Sequence, residues 1–394
     1  MDKIFAELKD LLSATFADLE LRQQTTFDVL AGPLAAKIVL YGAGGLGRKM
    51  LAVLRRHAIE PIAYVDNNSA RWGGAVDGIP VYAPESAVAK FGQQAVFVVS
   101  IASPGHSFEA SRRKLLGLGC VRVLPFLPLL WKYAADILPY YAYETPKYFK
   151  GHATEIKASY GLLADDMSRR IFLEHLKFRI TGHFEGLPRP DVETQYFPND
   201  LPLRSDEVFV DCGAYDGDTL KVLLARTSAP TVYAFEPDPE NYRKLKAYVQ
   251  TLPELQRKQI RVTCAAVDAQ KGTLRFAATG GAGAGVSAGG DIVVEAITLD
   301  GQDLAPPPTF IKLDIEGAEG AALQGSRSLI QRHKPVVAVC AYHRPDDLWT
   351  LPQQLHAMNK DYRFSLRWHE DDGWDTVLYA VDKLRCQPPA NLPL

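Results

Sequence analysis

The sequence has 394 residues, more than one hydrophobic core usually takes, so two domains are expected. Hydrophobic residues make up 47% of the chain and charged residues 23%, a composition typical of globular proteins that argues against a disordered chain. The formal net charge of -2 excludes an overall basic field that would attract nucleic acid or an acidic membrane surface, so neither is expected as a partner.

Apolar residues recur at helical spacing in residues 1–30, which predicts one or two amphipathic helices. Acidic residues interrupt the apolar run that a secretory signal needs, and no stretch is long enough to span a bilayer, so we expect a cytoplasmic protein. The five cysteines are scattered, and three of them (Cys212, Cys264 and Cys340) are expected to be buried, reduced thiols in strands. The apolar helix face packs either on the rest of the chain or in a homo-oligomer.

Strand and helix patterns alternate in residues 1–130, which predicts an N-terminal domain with a leading helix. Gly42, Gly44 and Gly47 form a GxGxxG loop after the strand IVLY, and Asp66 ends the next strand. This separation is close to the one at which an acidic residue meets a ribose, and the helix after Gly47 would offer its N-terminus to phosphates. The loop therefore either binds a dinucleotide or nucleotide-sugar or is only a structural turn.

Two further regions follow this domain. Residues 131–202 are rich in aromatic residues and proline, which predicts a connector packed on both domains, with a helix around DDMSRRIFLEHLKFRI. Residues 203–394 predict five strand–helix units closed by two late strands, a mostly parallel sheet with an antiparallel strand at the end. A Gly-rich loop is predicted over 279–291. The fold class is therefore α/β, with two Rossmann-like domains.

Acidic residues and glycines collect at the predicted strand ends of the second domain. Asp211, Gly213 and Gly217 follow the first strand, Glu236 ends the second strand, and Val267-Asp268 ends the third, where an adenine could bind. Ligands of open α/β sheets bind at this edge, and an acidic residue after the second strand suits ribose hydroxyls. The acidic loop would repel a pyrophosphate but suits an amine-bearing cation. S-adenosylmethionine (SAM) has a ribose, an α-amino group and a sulfonium, and it lacks phosphate.

Four polar side chains at the ends of the later strands are candidates for catalysis: Lys312, Asp314, Glu316 and His343. His343 titrates nearest to neutral pH and is predicted to be the general base of a transfer reaction, with Asp314 as the second choice. The same pattern fits a hydrogen-bonded histidine at a strand end. A divalent metal held by Asp314 and its neighbours stays open, because the spacing defines no ligand set.

Five motifs in this order resemble those of the FkbM-type methyltransferases. They are VFVDCGAYDGDTL, YAFEPDPENYRKL, FIKLDIEGAEGAALQGS, KPVVAVCAYHRPDDLWTLP and LRWHEDDGWDTVLYAV, within residues 205–382. The resemblance implies a class I SAM-dependent fold and methylation of a hydroxyl on a small molecule or saccharide acceptor, that is a sugar, a glycan precursor or a natural product. It also implies site roles: the methionine part of SAM over Asp211, Gly213 and Gly217, the ribose at Glu236, the adenine amino group at Asp268, and both the methionine end of SAM and the acceptor at Asp314.

The N-terminal domain supports two alternative functions. Its segment GGAVDGIPVYAPE resembles small nucleotide-binding modules attached to sugar-modifying enzymes. An NAD-linked oxidoreductase centred on Gly42–Gly47 is one alternative. A nucleotide-sugar-binding protein without turnover is the other.

Overall fold

The chain folds as two units in this computed structural model, which describes residues 3–184, 190, 194–199, 201, 203–227, 230–278, 285–286 and 289–385. The N-terminal unit comprises Met1–Thr154, Arg170–Pro190 and Glu370–Trp374. The C-terminal unit comprises Glu155–Arg169, Asp191–His369 and Asp375–Leu394. The domain boundaries predicted near residues 130 and 202 stay predictions.

The N-terminal unit contains a six-stranded sheet. Its strands are β1 (Ile38–Tyr41), β2 (Ala63–Val65), β3 (Ala75–Val76), β4 (Ile79–Tyr82), β5 (Val96–Val99) and β6 (Val123–Pro125). The strand order is β3-β4-β2-β1-β5-β6, and only the β3–β4 pair is antiparallel. Every residue of β1 and β5 is buried, as expected for parallel strands that are covered on both faces.

Helices pack around this sheet and confirm the predicted leading helices. They are α1 (Lys3–Leu11), α2 (Phe16–Ala31), α3 (Gly45–Arg56), α4 (Pro84–Phe91), α5 (Phe108–Gly117), α6 (Leu127–Lys132), α7 (Ala134–Ile137) and α8 (Pro146–Gly151). Two more helices, α9 (Ala153–Tyr160) and α10 (Asp166–Thr181), contain residues of both units, and α10 is the helix predicted in the connector. Thr15 begins α2 with a reciprocal capping box to Asp18, which satisfies amides at the helix start.

The C-terminal unit contains a seven-stranded sheet. Its strands are β7 (Val208–Cys212), β8 (Thr231–Phe235), β9 (Ile260–Thr263), β14 (Phe310–Leu313), β15 (Val336–Cys340), β16 (Tyr362–Trp368) and β17 (Thr376–Asp382). The order is β16-β17-β15-β14-β7-β8-β9, with β17 antiparallel to both of its neighbours. Its helices are α11 (Asp218–Arg226), α12 (Pro239–Thr251), α13 (Glu254–Lys258), α14 (Glu319–Gln324), α15 (Arg327–His333) and α16 (Asp347–Met358).

This arrangement confirms the predicted α/β fold class, including the single antiparallel strand of the seven-stranded sheet. The strand order reverses between β7 and β14, because the chain runs outward from β7 through β8 and β9 and then returns to β14. Crevices at such reversal points are where open α/β sheets bind ligands.

A small second sheet was not predicted. It consists of β10 (Ala266–Val267), β11 (Gly272–Ala277), β12 (Gly285–Val286) and β13 (Ile292–Ile297), in the order β10-β13-β11-β12. The predicted third strand is therefore wrong in its second half, since β9 ends at Thr263 and the following residues pair elsewhere. Of the predicted Gly-rich loop, the structure describes 285–286 and 289–291, and the rest lies outside the described residues.

Among the residues that the structure describes, no helix combines the length and the apolar character needed to cross a membrane.

The GxGxxG turn between β1 and α3 is closely packed at one glycine. A Cβ atom on Gly47 would lie 1.9 Å from the carbonyl oxygen of Gly42, whereas a Cβ on Gly45 would have no neighbour within 4 Å. Gly47 therefore allows the first turn of α3 to contact the loop backbone directly.

We expect the Gly47→Ala variant to lower the free energy of unfolding by about 2 kcal/mol, because the new methyl group forces the loop and the helix apart. Gly45→Ala is the matched control, and it should leave stability unchanged or raise it by up to about 1 kcal/mol. Thermal unfolding of the full chain measures both. Equal effects of the two substitutions would contradict the close packing at Gly47.

Candidate active site at the reversal of strand order

A buried ion pair joins the two strands at which the strand order reverses. Lys312 of β14 and Asp211 of β7 are cross-strand partners. The Lys312 Nζ lies 3.1 Å from Asp211 Oδ1, and the exposed fractions of the two side chains are 2% and 0%. Opposite charges thus face each other in the interior, where each would be costly alone.

Lys312 also fixes the loop that follows β7. Its Nζ donates a hydrogen bond of 2.6 Å to the carbonyl oxygen of Gly213 and lies 5.2 Å from the ring centroid of Tyr196. Burial by itself would lower the pKa of Lys312, but the carboxylates of Asp211 and Asp314 outweigh burial and hold that pKa above its usual value. Lys312 is therefore a permanent cation that positions the loop and cannot accept a proton.

For Asp211, the effect of burial on the pKa outweighs the effect of the neighbouring opposite charge. Burial raises the pKa of its carboxyl group to about 6, although the nearby Lys312 lowers it in part. Apart from this ion pair, neither carboxylate oxygen has a hydrogen-bond partner among the described residues. Because Asp211 has no exposed surface, its placement suits it to hold Lys312 rather than to touch a ligand directly.

The loop after β7 runs in close contact with the segment after β14. Gly213 has a φ of +82°, and a Cβ at this position would lie 1.9 Å from the carbonyl oxygen of Asp314. Both the conformation and the contact therefore require glycine. Gly217 closes the turn by donating its amide to the carbonyl of Ala214 at 2.9 Å, and it begins α11 as the N-cap residue.

Glu236 follows β8 and is held by two backbone amides. Tyr215 N donates to its Oε2 at 2.8 Å, and Asp238 N donates to its Oε1 at 2.9 Å. The side chain is almost completely buried, and burial raises the pKa of the carboxyl group to about 7 despite these two hydrogen bonds. The bond from Tyr215 attaches Glu236 to the turn that Lys312 fixes.

Asp314 is the partly exposed carboxylate of the site. It directly follows β14, and its side chain is 27% exposed. The Tyr196 hydroxyl donates to its Oδ2 at 2.8 Å. Burial would raise the pKa of Asp314, but Lys312 and His343 outweigh it and lower the pKa below the usual value, so the carboxylate is ionised.

His343 lies beyond β15 and faces a group of carboxylates. Its Nδ1 is 2.7 Å from Glu319 Oε1, while its Nε2 is 3.6 Å from Asp314 Oδ1 and 3.9 Å from Glu316 Oε2. Glu319 begins α14 and also accepts a hydrogen bond from Ile315 N at 3.0 Å. Glu319 therefore holds the backbone between β14 and α14 and also orients the imidazole.

The prediction that His343 is a general base assumed an imidazole with its usual pKa, and the surroundings of His343 shift that pKa. Burial would lower the pKa of His343, but Glu319, Glu316 and Asp314 outweigh it and raise the pKa to about 10. With only these carboxylates around it, the imidazole holds its proton more tightly than a free histidine does, and the role of His343 as a base stays a prediction.

The same side chains form a candidate metal centre. Asp314, Glu319 and His343 each offer a ligand atom, and these atoms all lie within 4.8 Å of one another. Carboxylate oxygens and an imidazole nitrogen are suitable ligands for divalent first-row transition metals.

Asp268 does not follow a strand of the seven-stranded sheet, contrary to what the sequence predicts, and its role at the adenine stays a prediction. It follows β10, which pairs with β13 in the second sheet, and its amide donates to the carbonyl of Ile297 at 2.8 Å. The first residue after β9 is instead Cys264, which is exposed, with Sγ 3.9 Å from the carbonyl oxygen of Pro237. The prediction that Cys264 is a buried strand residue is therefore wrong, whereas Cys212 and Cys340 are buried in strands as predicted.

The structure thus joins most of the predicted residues of this site in one network. Lys312 connects Asp211 with the Gly213 turn, the turn connects to Glu236, and Asp314 connects to His343. Tyr196 was missed, because it lies in the aromatic connector and no motif marks it. Its hydroxyl reaches Asp314 from 118 residues away in the sequence.

The predicted nucleotide loop of the N-terminal unit is a separate feature. Its acidic residue, Asp66, is engaged by protein donors: Ala43 N at 3.1 Å and Arg71 Nη1 at 2.8 Å reach Oδ2, and Asn68 N reaches Oδ1 at 2.8 Å. The Asp66 carboxylate thus stabilises the turn between β1 and α3, next to Gly42 and Gly47.

Comparison with known proteins agrees with this geometry. Residues 211–366 match the family model of the methyltransferase FkbM domain. A crystal structure of a methyltransferase FkbM from Methylobacillus flagellatus KT is similar with a TM-score of 0.75 and 25% identity, covering 96% of this chain and 99% of that chain.

Other similarities are weaker. A precorrin-6y C5,15-methyltransferase from Geobacter metallireducens GS-15 has 12% identity and a TM-score of 0.31, covering 47% of this chain and 84% of that chain, too low to support a conclusion. No curated protein sequence matches the chain.

We expect the Lys312→Met variant to lower the free energy of unfolding by about 3–5 kcal/mol, because the Asp211 carboxylate would stay buried without its cation. Lys244→Met is the control, since Lys244 is 40% exposed in an ion pair with Glu240, and it should change stability by less than about 1 kcal/mol. Urea unfolding followed by tryptophan fluorescence measures both. Similar losses in the two variants would show that the Lys312 pair adds little stability.

Proposed function

Residues 211–366 form a methyltransferase FkbM domain, and from this premise we propose that the protein transfers the methyl group of SAM to a hydroxyl of a sugar, a glycan precursor or a natural product. The observation that carries the proposal is Glu236, a carboxylate fixed at the end of the second strand and attached to the turn after the first. This is the place at which open α/β sheets recognise a ribose.

The arrangement of Glu236 fits the ribose of SAM. Each carboxylate oxygen accepts one backbone amide and retains a lone pair for a second hydrogen bond. The two neighbouring hydroxyls of a ribose are suitable donors to such a pair of oxygens. Since the amides already hold the carboxylate, binding orders few additional groups.

The rest of the chain contributes mainly positioning. SAM, when bound, supplies a methyl group on a positively charged sulfur that is a good leaving group. Lys312 holds the Gly213 turn at the methionine end of the site, and Asp211 holds Lys312. Holding the acceptor oxygen in line with the methyl group then accounts for much of the rate acceleration.

Asp314 is the residue that we propose to promote the loss of the acceptor's proton. It is ionised, its side chain is partly exposed, and Tyr196 fixes one of its two oxygens. The other oxygen, Oδ1, lies on the side of His343. A hydroxyl next to this carboxylate would lose its proton more readily than one in water.

The alternative functions centred on the N-terminal loop have less support. A ribose binds best where both carboxylate oxygens retain a lone pair, as in Glu236, whereas Asp66 Oδ2 already accepts two donors and Asp66 is paired with Arg71. A role of Gly42, Gly44 and Gly47 in binding a dinucleotide or nucleotide-sugar stays a prediction, which titration with NAD and UDP-sugars tests.

We expect Glu236→Ala to weaken SAM binding about 10- to 100-fold, because hydrogen bonds to a charged group contribute about 1.5–3 kcal/mol. Glu240→Ala is the matched control, since Glu240 lies nearby in α12 with a side chain that is 55% exposed. Calorimetric titration of the purified full chain with SAM measures the affinities. SAM binding that is unchanged in Glu236→Ala would remove Glu236 from the site.

We expect Asp314→Asn to lower kcat at least about 100-fold while the Kd for SAM changes little. The amide keeps the shape and can still accept from Tyr196, but it lacks the negative charge. Asp303→Asn, at an exposed position, is the control for the charge change. The assay follows labelled methyl transfer from SAM to the best acceptor in a panel of saccharides. Undiminished turnover in Asp314→Asn would reject this role.

A further inference from the structure

His343 and the carboxylates around it have the geometry of a metal centre whose imidazole is oriented by a second carboxylate. Glu319 Oε1 lies 2.7 Å from Nδ1 and also accepts the amide of Ile315. A carboxylate at this position holds the proton on Nδ1, and the lone pair of a neutral imidazole is then on Nε2. Metal-bound histidines commonly have such a partner on the nitrogen that does not bind the metal.

The Nε2 atom of His343 lacks a hydrogen-bond partner among the described residues, although its side chain is only 1% exposed. Buried polar atoms without a partner are rare in folded proteins, and each requires an explanation. This atom faces Asp314 Oδ1 at 3.6 Å and Glu316 Oε2 at 3.9 Å, distances too long for hydrogen bonds.

The two distances from His343 Nε2 leave room for an ion beside this atom. Ligand atoms about 2.1 Å from an ion are about 3.0 Å apart at a right angle and about 3.4 Å apart at a tetrahedral angle. The separations from Nε2, 3.6 Å to Asp314 Oδ1 and 3.9 Å to Glu316 Oε2, are wider than these, so both carboxylates would move toward the imidazole to bind an ion. Tyr196 holds the other oxygen of Asp314, so that Oδ1 is the oxygen turned toward His343.

Charge favours a cation at this place. Three carboxylates, those of Asp314, Glu316 and Glu319, lie within 4 Å of one imidazole. A single proton on the imidazole leaves a net negative charge in a poorly solvated group. A divalent ion would neutralise more of it.

We propose that His343 Nε2, Asp314 Oδ1 and Glu316 Oε2 bind a divalent first-row transition metal ion, with Glu319 as the residue that positions the imidazole. Mn²⁺ and Zn²⁺ accept a set of one nitrogen and two carboxylate oxygens, whereas Ca²⁺ prefers sites made of oxygen ligands alone. Asp314 and Glu316 are 27% and 21% exposed, so the remaining coordination positions face outward.

The ion would also explain how Asp314 acts, and this consequence rests on the proposed function. A hydroxyl bound to a divalent ion loses its proton at a lower pH than a free hydroxyl. Asp314 would then promote proton loss through the ion that it binds, and His343 would contribute as a ligand instead of as a base.

The test is binding of Mn²⁺ to the full chain after removal of metals with a chelator. The loss of the electron paramagnetic resonance signal of free Mn²⁺ gives affinity and stoichiometry. We expect one ion per chain, with binding at least tenfold weaker in His343→Gln and in Glu316→Gln. Glu295→Gln removes an exposed carboxylate of β13 and is the matched control, expected to bind as the wild type does.

Both variants are expected to fold, so a loss of binding reports on the metal site. Gln at position 343 can still hydrogen-bond to Glu319, and Glu316 is partly exposed, so its replacement leaves no cavity in the core. Absence of Mn²⁺ binding to the wild type, or unchanged binding in both variants, would overturn the proposal. The assay contains neither SAM nor acceptor, so its outcome is separate from that of the SAM titration.

Discussion

The site depends on one buried charge, that of Lys312. Its ammonium group faces the Asp211 carboxylate and holds the carbonyl of Gly213, and the Gly213 turn in turn supports Glu236 through the amide of Tyr215. A cation in the middle of a sheet is costly unless its partners are well placed. The cross-strand register of β7 and β14 provides this placement, so the order of the strands and the shape of the proposed cofactor site have the same origin.

Two parts of the site differ in their charge balance. Around Lys312, one cation meets carboxylates and the pKa of the lysine rises. Around His343, three carboxylates meet one imidazole, and the pKa of the imidazole rises to about 10. The first group is internally balanced and therefore structural. The second keeps an excess of negative charge and partly exposed oxygens, which is the condition for binding a cation or polarising a hydroxyl.

The fold and most of the site followed from the sequence, because motifs at strand ends report on the edge where parallel strands meet. The network of Asp211, Gly213, Lys312 and Asp314 was predictable in this way. Tyr196 was not, since only the tertiary fold brings the connector to Asp314. The strand before Asp268 was assigned to the main sheet, but the chain leaves that sheet after Thr263 to form a second sheet, and the pattern of apolar residues does not show that break. The pKa of His343 depends on how many carboxylates surround it in the fold, and the spacing of residues in the sequence does not give that number.

The contact between Lys312 and Gly213 has a consequence for how the protein folds. The two residues are 99 positions apart, and the helices α11 and α12 and the whole second sheet lie between them in the chain. Closing so long a loop costs conformational entropy before any contact rewards it. The turn after β7 therefore gains its buried cation only once β14 has joined the sheet, and a nascent chain that ends before residue 312 lacks this contact.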